Sequence, residues 1–173
     1  TPIKSSAASD VYKRQTRDDV QNVKYYEFAD GYVKCSNDGI IYYDYKGNAI
    51  WNQTYEMKSP QLVTCKECLA VGDINGSTIY VFNTKGMLGS IDTSLSISQI
   101  DVGGTGLVAA VLEDTSSNYI NMYEPSGEKV YSVKTTLSGD GYPLNISISE
   151  DMTKLIASYV YAVSYTHLTL PTT

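Results

Sequence analysis

Residues 41–47 read Ile41-Tyr42-Tyr43-Asp44-Tyr45-Lys46-Gly47, and the same pattern returns twice further along the chain. In each copy an apolar and aromatic run leads into a polar turn that ends on a glycine. The second copy reads Ile79-Tyr80-Val81-Phe82-Asn83-Thr84-Lys85-Gly86, and the third reads Ile120-Asn121-Met122-Tyr123-Glu124-Pro125-Ser126-Gly127. The three glycines are 39 and 41 residues apart.

This repeat predicts a radial arrangement of sheets. A period near 40 residues with several strands in each unit is typical of a β-propeller blade. The repeats and their flanks supply three full units and part of a fourth. The predicted fold is therefore all-β, a partial β-propeller of about three and a half four-stranded antiparallel blades.

The two ends of the chain differ from the repeats. Residues 5–15 and 163–173 share no pattern with them, and both are similar to peptides encoded by sequencing-adapter DNA. We expect residues 1–15 and residues 162–173 to be non-native or disordered tails, with the partial β-propeller at residues 16–161. Since four to eight blades need about 160 to 320 residues, we expect the chain to be a fragment of a longer protein.

The charge of the chain argues against one class of partner. There are 13 Lys and Arg against 19 Asp and Glu, and residues 16–161 keep 10 and 18 of these. An acidic surface without a basic cluster repels phosphate groups, so we expect no nucleic acid partner. The single histidine, His167, lies in the C-terminal tail. No run of 18 apolar residues occurs, and we expect no membrane segment in this fragment.

Strand-like runs follow one another throughout the repeats. Apolar and polar residues alternate, aromatic and β-branched residues are frequent, and no stretch of 12 residues shows helical periodicity. The predicted strands are residues 23–28, 32–35, 40–45, 49–55, 62–65, 69–72, 78–83, 97–102, 107–112, 119–123, 129–135, 144–149 and 155–159. The second unit, residues 59–95, has no outer strand in this assignment.

Residues 44–51 resemble the quinoprotein-type propeller repeat. In that repeat an Asp, a Gly and a Trp four residues after the Gly pack neighbouring blades together. The matching positions in the other two units are Ser90 and Tyr131, so the tryptophan does not recur. We expect Trp51 to pack between blades and find no residues for a quinone cofactor.

Residues 149–157 resemble a second repeat, the Ser-x-Asp-Gly-x-x-Leu turn of WD-repeat-like blades. Met152 stands where glycine is usual. Ser149 and Asp151 are expected to hold the turn by hydrogen bonds to nearby backbone N–H groups. The motif is structural and carries no chemistry.

Cys65 and Cys68 have the spacing of a zinc-binding or redox pair. Zinc needs four ligands, and the repeats add only Cys35 and no histidine. A thioredoxin-like site needs a βαβ context, which this chain lacks. We interpret the three cysteines as thiols at strand ends; a redox or metal role for Cys65 and Cys68 is the alternative that stays open.

Tyrosine is in excess, with 16 residues. Seven fall in the first unit, namely Tyr25, Tyr26, Tyr32, Tyr42, Tyr43, Tyr45 and Tyr55. Stacking between blades is the structural interpretation, and an aromatic face that binds a glycan or peptide is the functional one. Because side chains alternate along a strand, Tyr42 and Tyr43 are predicted to lie on opposite faces.

We assign no catalytic, cofactor-binding or metal-ligating residue, and we expect no cofactor. The acidic residues lie mostly at turns. Residues 73–76, Asp-Ile-Asn-Gly, lack the spacing and the final Glu of a calcium loop and predict a hairpin turn. No nucleophile or phosphate-loop motif occurs.

As a whole, residues 20–161 resemble uncharacterised propeller proteins of Gram-positive anaerobes, which form families of unknown function with quinoprotein-like or WD-repeat-like blades. The resemblance implies an extracytoplasmic setting, with the parent protein anchored by an N-terminal membrane helix. It supplies no catalytic residues to carry over.

The expected function is a non-enzymatic binding or scaffolding module that recognises a protein, peptide or glycan through loops at one end of the propeller. The alternative is a fragment of a propeller enzyme, either a quinoprotein-like oxidoreductase or a hydrolase whose carboxylates converge at the central channel. Uncovered faces on the first and last blades are expected to favour association.

Overall fold

A computed structural model describes residues 23–161, which form four antiparallel sheets. The expectations for residues 1–15 and 162–173 lie outside this range. The strands are β1 (Lys24–Phe28), β2 (Gly31–Ser36), β3 (Gly39–Asp44), β4 (Ala49–Thr54), β5 (Pro60–Cys65), β6 (Cys68–Asp73), β7 (Thr78–Asn83), β8 (Gly86–Asp92), β9 (Ser96–Val102), β10 (Val108–Glu113), β11 (Ser117–Tyr123), β12 (Lys129–Thr136), β13 (Tyr142–Ile148) and β14 (Leu155–Val160).

The strands of each sheet lie in chain order. Sheet 1 is β1–β4, sheet 2 is β5–β8, sheet 3 is β9–β12, and sheet 4 is the pair β13–β14. The first strands of sheets 2, 3 and 4 lie side by side, since β9 contacts both β5 and β13. This arrangement confirms the predicted all-β fold, a partial β-propeller built from four-stranded antiparallel blades.

The middle sheets are buried on both faces. On β6 the fully buried Leu69 packs against sheet 1, whereas the neighbouring Ala70 packs against sheet 3. On β10 the fully buried Val108 packs against sheet 2, and the next residue, Ala109, packs against sheet 4. Because strand side chains alternate between faces, every residue of such a strand needs to be apolar or small. The apolar cores therefore lie between the sheets.

One strand, β8, was not predicted from the sequence. Gly86 and Gly89 interrupt its apolar pattern, and glycine weakens a strand assignment. The structure explains Gly89, because a Cβ atom there would lie 2.0 Å from the carbonyl oxygen of Pro125 in sheet 3. The glycine that obscures the strand is thus required by the close approach of the next blade.

The repeated glycines do not all serve the same turn. Gly47 and Gly127 have φ angles of +86° and +91°, and each N–H donates to the carbonyl oxygen three residues earlier. Gly86 instead begins β8 and pairs with Asn83, because this turn is shorter.

The shorter turn changes which residue corresponds to Trp51. Trp51 lies opposite Tyr42 in sheet 1, and the residue opposite the matching Val81 in sheet 2 is Gly89. The predicted correspondence with Ser90 is therefore wrong by one residue. In sheet 3, Tyr131 lies opposite Met122, as predicted.

Trp51 packs between blades, as predicted. Its ring stacks on Phe82 of sheet 2 with centroids 5.0 Å apart and planes 7° from parallel. On its own sheet it contacts Tyr42, with ring centroids 5.6 Å apart. Tyr131, the matching residue of sheet 3, is 51% exposed.

We predict that Trp51→Ala lowers the free energy of unfolding by about 3 kcal/mol, since it removes a large aromatic group from between two sheets. The matched control Tyr131→Ala is expected to cost less than about 1 kcal/mol, because that ring is half exposed. Urea denaturation followed by circular dichroism measures both. Equal losses in the two variants would contradict the packing role of Trp51.

Candidate binding surface on the first sheet

The pleat of sheet 1 divides its tyrosines into two groups. Tyr26, Tyr42 and Tyr55 lie on the side that packs against sheet 2. Tyr32 and Tyr43 lie on the opposite side, so the prediction that Tyr42 and Tyr43 occupy opposite faces is confirmed. The inward group therefore fits the stacking interpretation, and the outward group is the candidate for a binding face.

The outward group forms a row of rings across three strands. Tyr32 and Tyr43 are direct partners in the β2–β3 register, and their rings stack with centroids 5.2 Å apart and planes 15° from parallel. Tyr25 on β1 extends the row, its centroid 6.3 Å from that of Tyr32. The Tyr25 side chain is 63% exposed. We call Tyr25, Tyr32 and Tyr43 the tyrosine face.

Polar groups border the tyrosine face. The hydroxyl of Tyr45 donates a hydrogen bond to Oε1 of Glu27 over 3.2 Å. Desolvation, together with the nearby Glu27 carboxylate, raises the pKa of Tyr45 above its ordinary value. The hydroxyl therefore stays protonated and donates throughout the physiological range of pH.

A cavity continues the same face toward the β2–β3 turn. Its volume is about 210 Å³, and Lys34, Ile41 and Asn52 are among the residues that line it. These three residues lie on neighbouring strands in direct register. The face thus combines an aromatic area with a cavity whose lining includes one lysine, one aspartate and two amide residues, Asn52 and Gln53.

The same positions are inter-sheet contacts in the other blades. The equivalent cross-strand pairs are Tyr32–Tyr43 in sheet 1, Leu69–Phe82 in sheet 2 and Val108–Tyr123 in sheet 3. The pair of sheet 2 is buried against sheet 1, and the pair of sheet 3 is buried against sheet 2. No sheet among residues 23–161 packs on the pair of sheet 1. The tyrosine face is therefore a blade-docking position that is open in the described part of the chain.

Cys65 and Cys68 lie at the two ends of the β5–β6 turn. Cys65 ends β5 and Cys68 begins β6, directly opposite each other in the register, and both thiols are free. The Cys68 thiol donates to the carbonyl oxygen of Gly104 over 3.3 Å. Desolvation raises the pKa of both thiols, which lowers their thiolate fraction at neutral pH. The positions of Cys65 and Cys68 confirm the interpretation of these two residues as thiols at strand ends. Cys35 instead lies within β2, where its buried thiol is 3.2 Å from the hydroxyl of Tyr55.

Carboxylates hold turns in several blades. Oδ1 of Asp44 accepts hydrogen bonds from the N–H groups of Lys46 and Asn48 over 2.9 and 2.8 Å. Oδ1 of Asp73 accepts from the N–H of Ser59 over 2.7 Å. The N–H of Gly76 donates to the carbonyl of Asp73, so the predicted hairpin turn at residues 73–76 is confirmed.

In the β13–β14 turn, side chains hold the backbone in place by hydrogen bonds. Oδ1 of Asp151 accepts from the hydroxyl of Ser149 over 2.6 Å and from the N–H of Thr153 over 3.1 Å. The hydroxyl of Ser149 in turn accepts from the N–H of Lys154 over 2.9 Å. Met152 has a φ of +57°, the left-handed conformation that explains why glycine is usual at this position. The predicted structural role of Ser149 and Asp151 is confirmed.

Two kinds of feature are absent from residues 23–161. No cluster of three or more Cys, His, Asp or Glu side chains in this range has an arrangement that fits a metal ion. The same range contains no helix of the length and apolarity needed to cross a bilayer.

Comparison with known proteins identifies a family and a fold. The model of the "Family of unknown function (DUF5711)" matches residues 4–168. A search of curated proteins finds no relative. Hsv2 of Kluyveromyces lactis superposes with a TM-score of 0.56 at 15% identity, covering 81% of this chain and 45% of Hsv2.

A second similar structure is BamB from Moraxella catarrhalis. It superposes with a TM-score of 0.55 at 14% identity, covering 79% of this chain and 39% of BamB. The chain thus spans less than half the length of either protein. At these identities the similarity shows the β-propeller fold and nothing about activity.

We predict that the Asp151 carboxyl titrates near pH 2, because hydrogen bonds from Ser149 and Thr153 lower its pKa to about 2. The pKa of Asp151 in the folded state lies below the ordinary value near 4. The ionised carboxylate therefore stabilises the turn at pH values above about 4, and this stabilisation is lost as the pH falls toward 2. An NMR titration that follows the chemical shift of the Asp151 carboxyl carbon measures this pKa. A midpoint near 4 would contradict the assigned hydrogen bonds.

Proposed function

Since the chain belongs to the family of unknown function DUF5711, we propose its function from its own surfaces: it is a non-enzymatic binding or scaffolding module whose tyrosine face binds a partner protein. The observation that carries the proposal is the equivalence of Tyr32 and Tyr43 to residues that other sheets bury against a neighbouring blade. In the other sheets the equivalent surface packs against a neighbouring blade, so its shape suits contact with another polypeptide surface.

The residue types at these positions support a partner that binds from solution. Three of the four equivalent residues in sheets 2 and 3 are Leu69, Phe82 and Val108, which are fully buried and carry no polar side-chain group. The fourth, Tyr123, is buried with its hydroxyl accepting a hydrogen bond from the side chain of Asn121. Tyrosine in the same place supplies a flat apolar ring for contact and a hydroxyl that stays hydrated in the unbound state. Tyrosine is also enriched at protein interfaces and at their energetic centres.

The dimensions of the surface suit a protein contact. Four strands spaced about 4.8 Å apart, with six residues at about 3.3 Å each, give a face of roughly 400 Å². The outward tyrosine rings form part of this face, and the largest apolar patch of a typical monomer, a few hundred Å², is often functional. Glu27, Lys34 and Asn52 supply the polar surroundings here.

An enzymatic function has less support. A propeller hydrolase needs carboxylates that converge on one substrate. Asp44, Asp73 and Asp151 belong to three different sheets, where Asp44 and Asp151 bind the backbone of their own turns and Asp73 binds the N–H of Ser59 just before β5. The thiols of Cys65 and Cys68 have raised pKa values, which disfavour nucleophilic use.

We also propose an extracytoplasmic setting for the parent protein, as the resemblance to uncharacterised propellers implies. A fusion of the uninterrupted gene to an enzyme that is active only outside the cytoplasm tests it. Activity of the fusion supports the proposal, and an inactive but intact fusion refutes it.

The test of the binding function compares three immobilised proteins: the wild-type chain, the double variant Tyr32→Ser/Tyr43→Ser, and the control Val130→Ser, which changes a half-exposed side chain of sheet 3. A protein captured from an extract of the source cells is purified and measured against each of them. We expect the double variant to bind at least about thirty-fold more weakly, because interface tyrosines carry about 2 kcal/mol or more. The control is expected to bind like the wild type.

Two results would refute this function. One is equal binding of the purified partner to the wild type and to the double variant, with all three proteins folded by circular dichroism. The other is retention of soluble polysaccharides by the wild type and not by the double variant, which would make the tyrosine face a glycan site.

A further inference from the structure

The second strand of sheet 4 has an open edge in the described part of the chain. In sheets 1, 2 and 3 the second strand pairs on both sides, with the first strand and with the third. Within residues 23–161, β14 pairs only with β13. An unpaired strand edge presents backbone N–H and C=O groups that can bind another strand.

An apolar groove lies beside this edge. Its volume is about 390 Å³, and it lies between the outer strands of sheet 3 and β14. Sheet 3 contributes Ile120, Met122, Tyr131 and Val133, and β14 contributes Leu155, Ala157 and Tyr159. The groove and the strand edge are therefore adjacent parts of one surface.

The complete sheets show what occupies this position. In sheet 2 the third strand, β7, points Tyr80 and Phe82 toward sheet 1, where Phe82 stacks on Trp51 and Tyr80 stacks on Tyr55 with centroids 5.7 Å apart. By register, Met122 in sheet 3 corresponds to Tyr42 in sheet 1, which lies beside Trp51. A third strand of sheet 4 would therefore place every second side chain in this groove.

We propose that this groove binds an extended segment of another protein as an added strand, antiparallel to β14. The segment is expected to carry large apolar or aromatic residues at alternate positions, since every second side chain of a strand points into the groove. Lys154 lines one end of the groove, at the start of β14. A carboxylate at the C-terminal end of the added strand would therefore face a cation. This site is separate from the tyrosine face and does not depend on the function proposed for it.

The probe is a synthetic peptide with the sequence of residues 77–85, which includes β7 and both of its aromatic residues. We expect it to bind the full chain with a dissociation constant on the order of 10 to 100 μM, measured by fluorescence anisotropy. The control peptide has serine in place of the two aromatic residues. Its affinity is expected to be at least about ten-fold lower, because it keeps the backbone donors but loses the groove contacts.

Hydrogen exchange locates the bound peptide without any substitution in the protein. At saturation we expect the backbone amides of β14 that face the open edge to exchange at least about ten-fold more slowly, because they acquire partners. The amides of β4, at the outer edge of sheet 1, serve as the internal control and are expected to be unchanged.

Matched substitutions test the groove itself. Val133→Asp places a charge in the groove and is expected to abolish binding, whereas Val130→Asp on the same strand is not among the groove-lining residues and is expected to bind normally. Because Val133 is partly buried, the milder Tyr159→Ser is measured beside it and is expected to weaken binding several-fold.

Three results would overturn the proposal. The first is equal binding of the two peptides. The second is full protection of the β14 edge in the free chain with no peptide binding, which would mean that the chain's own remaining residues occupy the groove. The third is protection of this edge that rises with protein concentration alone, which would assign the groove to a second copy.

Discussion

Burial between neighbouring sheets is the constraint on which the rest of the structure depends. Leu69 and Ala70 are adjacent on β6, yet each is buried in a different core, one shared with sheet 1 and the other with sheet 3. A propeller sheet has no core of its own, so its stability comes from the faces of the next sheets. Every face without a neighbour is then an exposed surface that the sequence has to make compatible with water or with a partner.

The two open surfaces of the described chain follow from this constraint in different ways. On sheet 1 the docking positions carry Tyr32 and Tyr43, whose rings stack on each other and whose hydroxyls suit contact with water. Beside sheet 4 the open surface is an apolar groove next to the edge of β14. The first surface fits a protein face, and the second fits a single strand.

Much of the fold could be predicted from the sequence, because the repeat, the strand alternation and the turn residues all indicate the same architecture. The strand β8 could not, since Gly89 is set by the approach of the Pro125 carbonyl, a contact invisible in the sequence. Because the turn at Gly86 is shorter than its counterparts, the residue of sheet 2 that corresponds to Trp51 is Gly89 and not Ser90. Alternation predicted that tyrosines lie on both faces of sheet 1. Only the register showed that the outward ones occupy blade-docking positions.

Native-state hydrogen exchange of the whole chain tests the central claim most directly. If the sheets are stabilised by their neighbours, the slowest amides are those of β6 and β10, the strands buried on both faces. The amides of the outer strands β4 and β12 are expected to exchange faster by at least about a hundred-fold. Uniform protection across all strands, or the strongest protection in β4 and β12, would contradict the account.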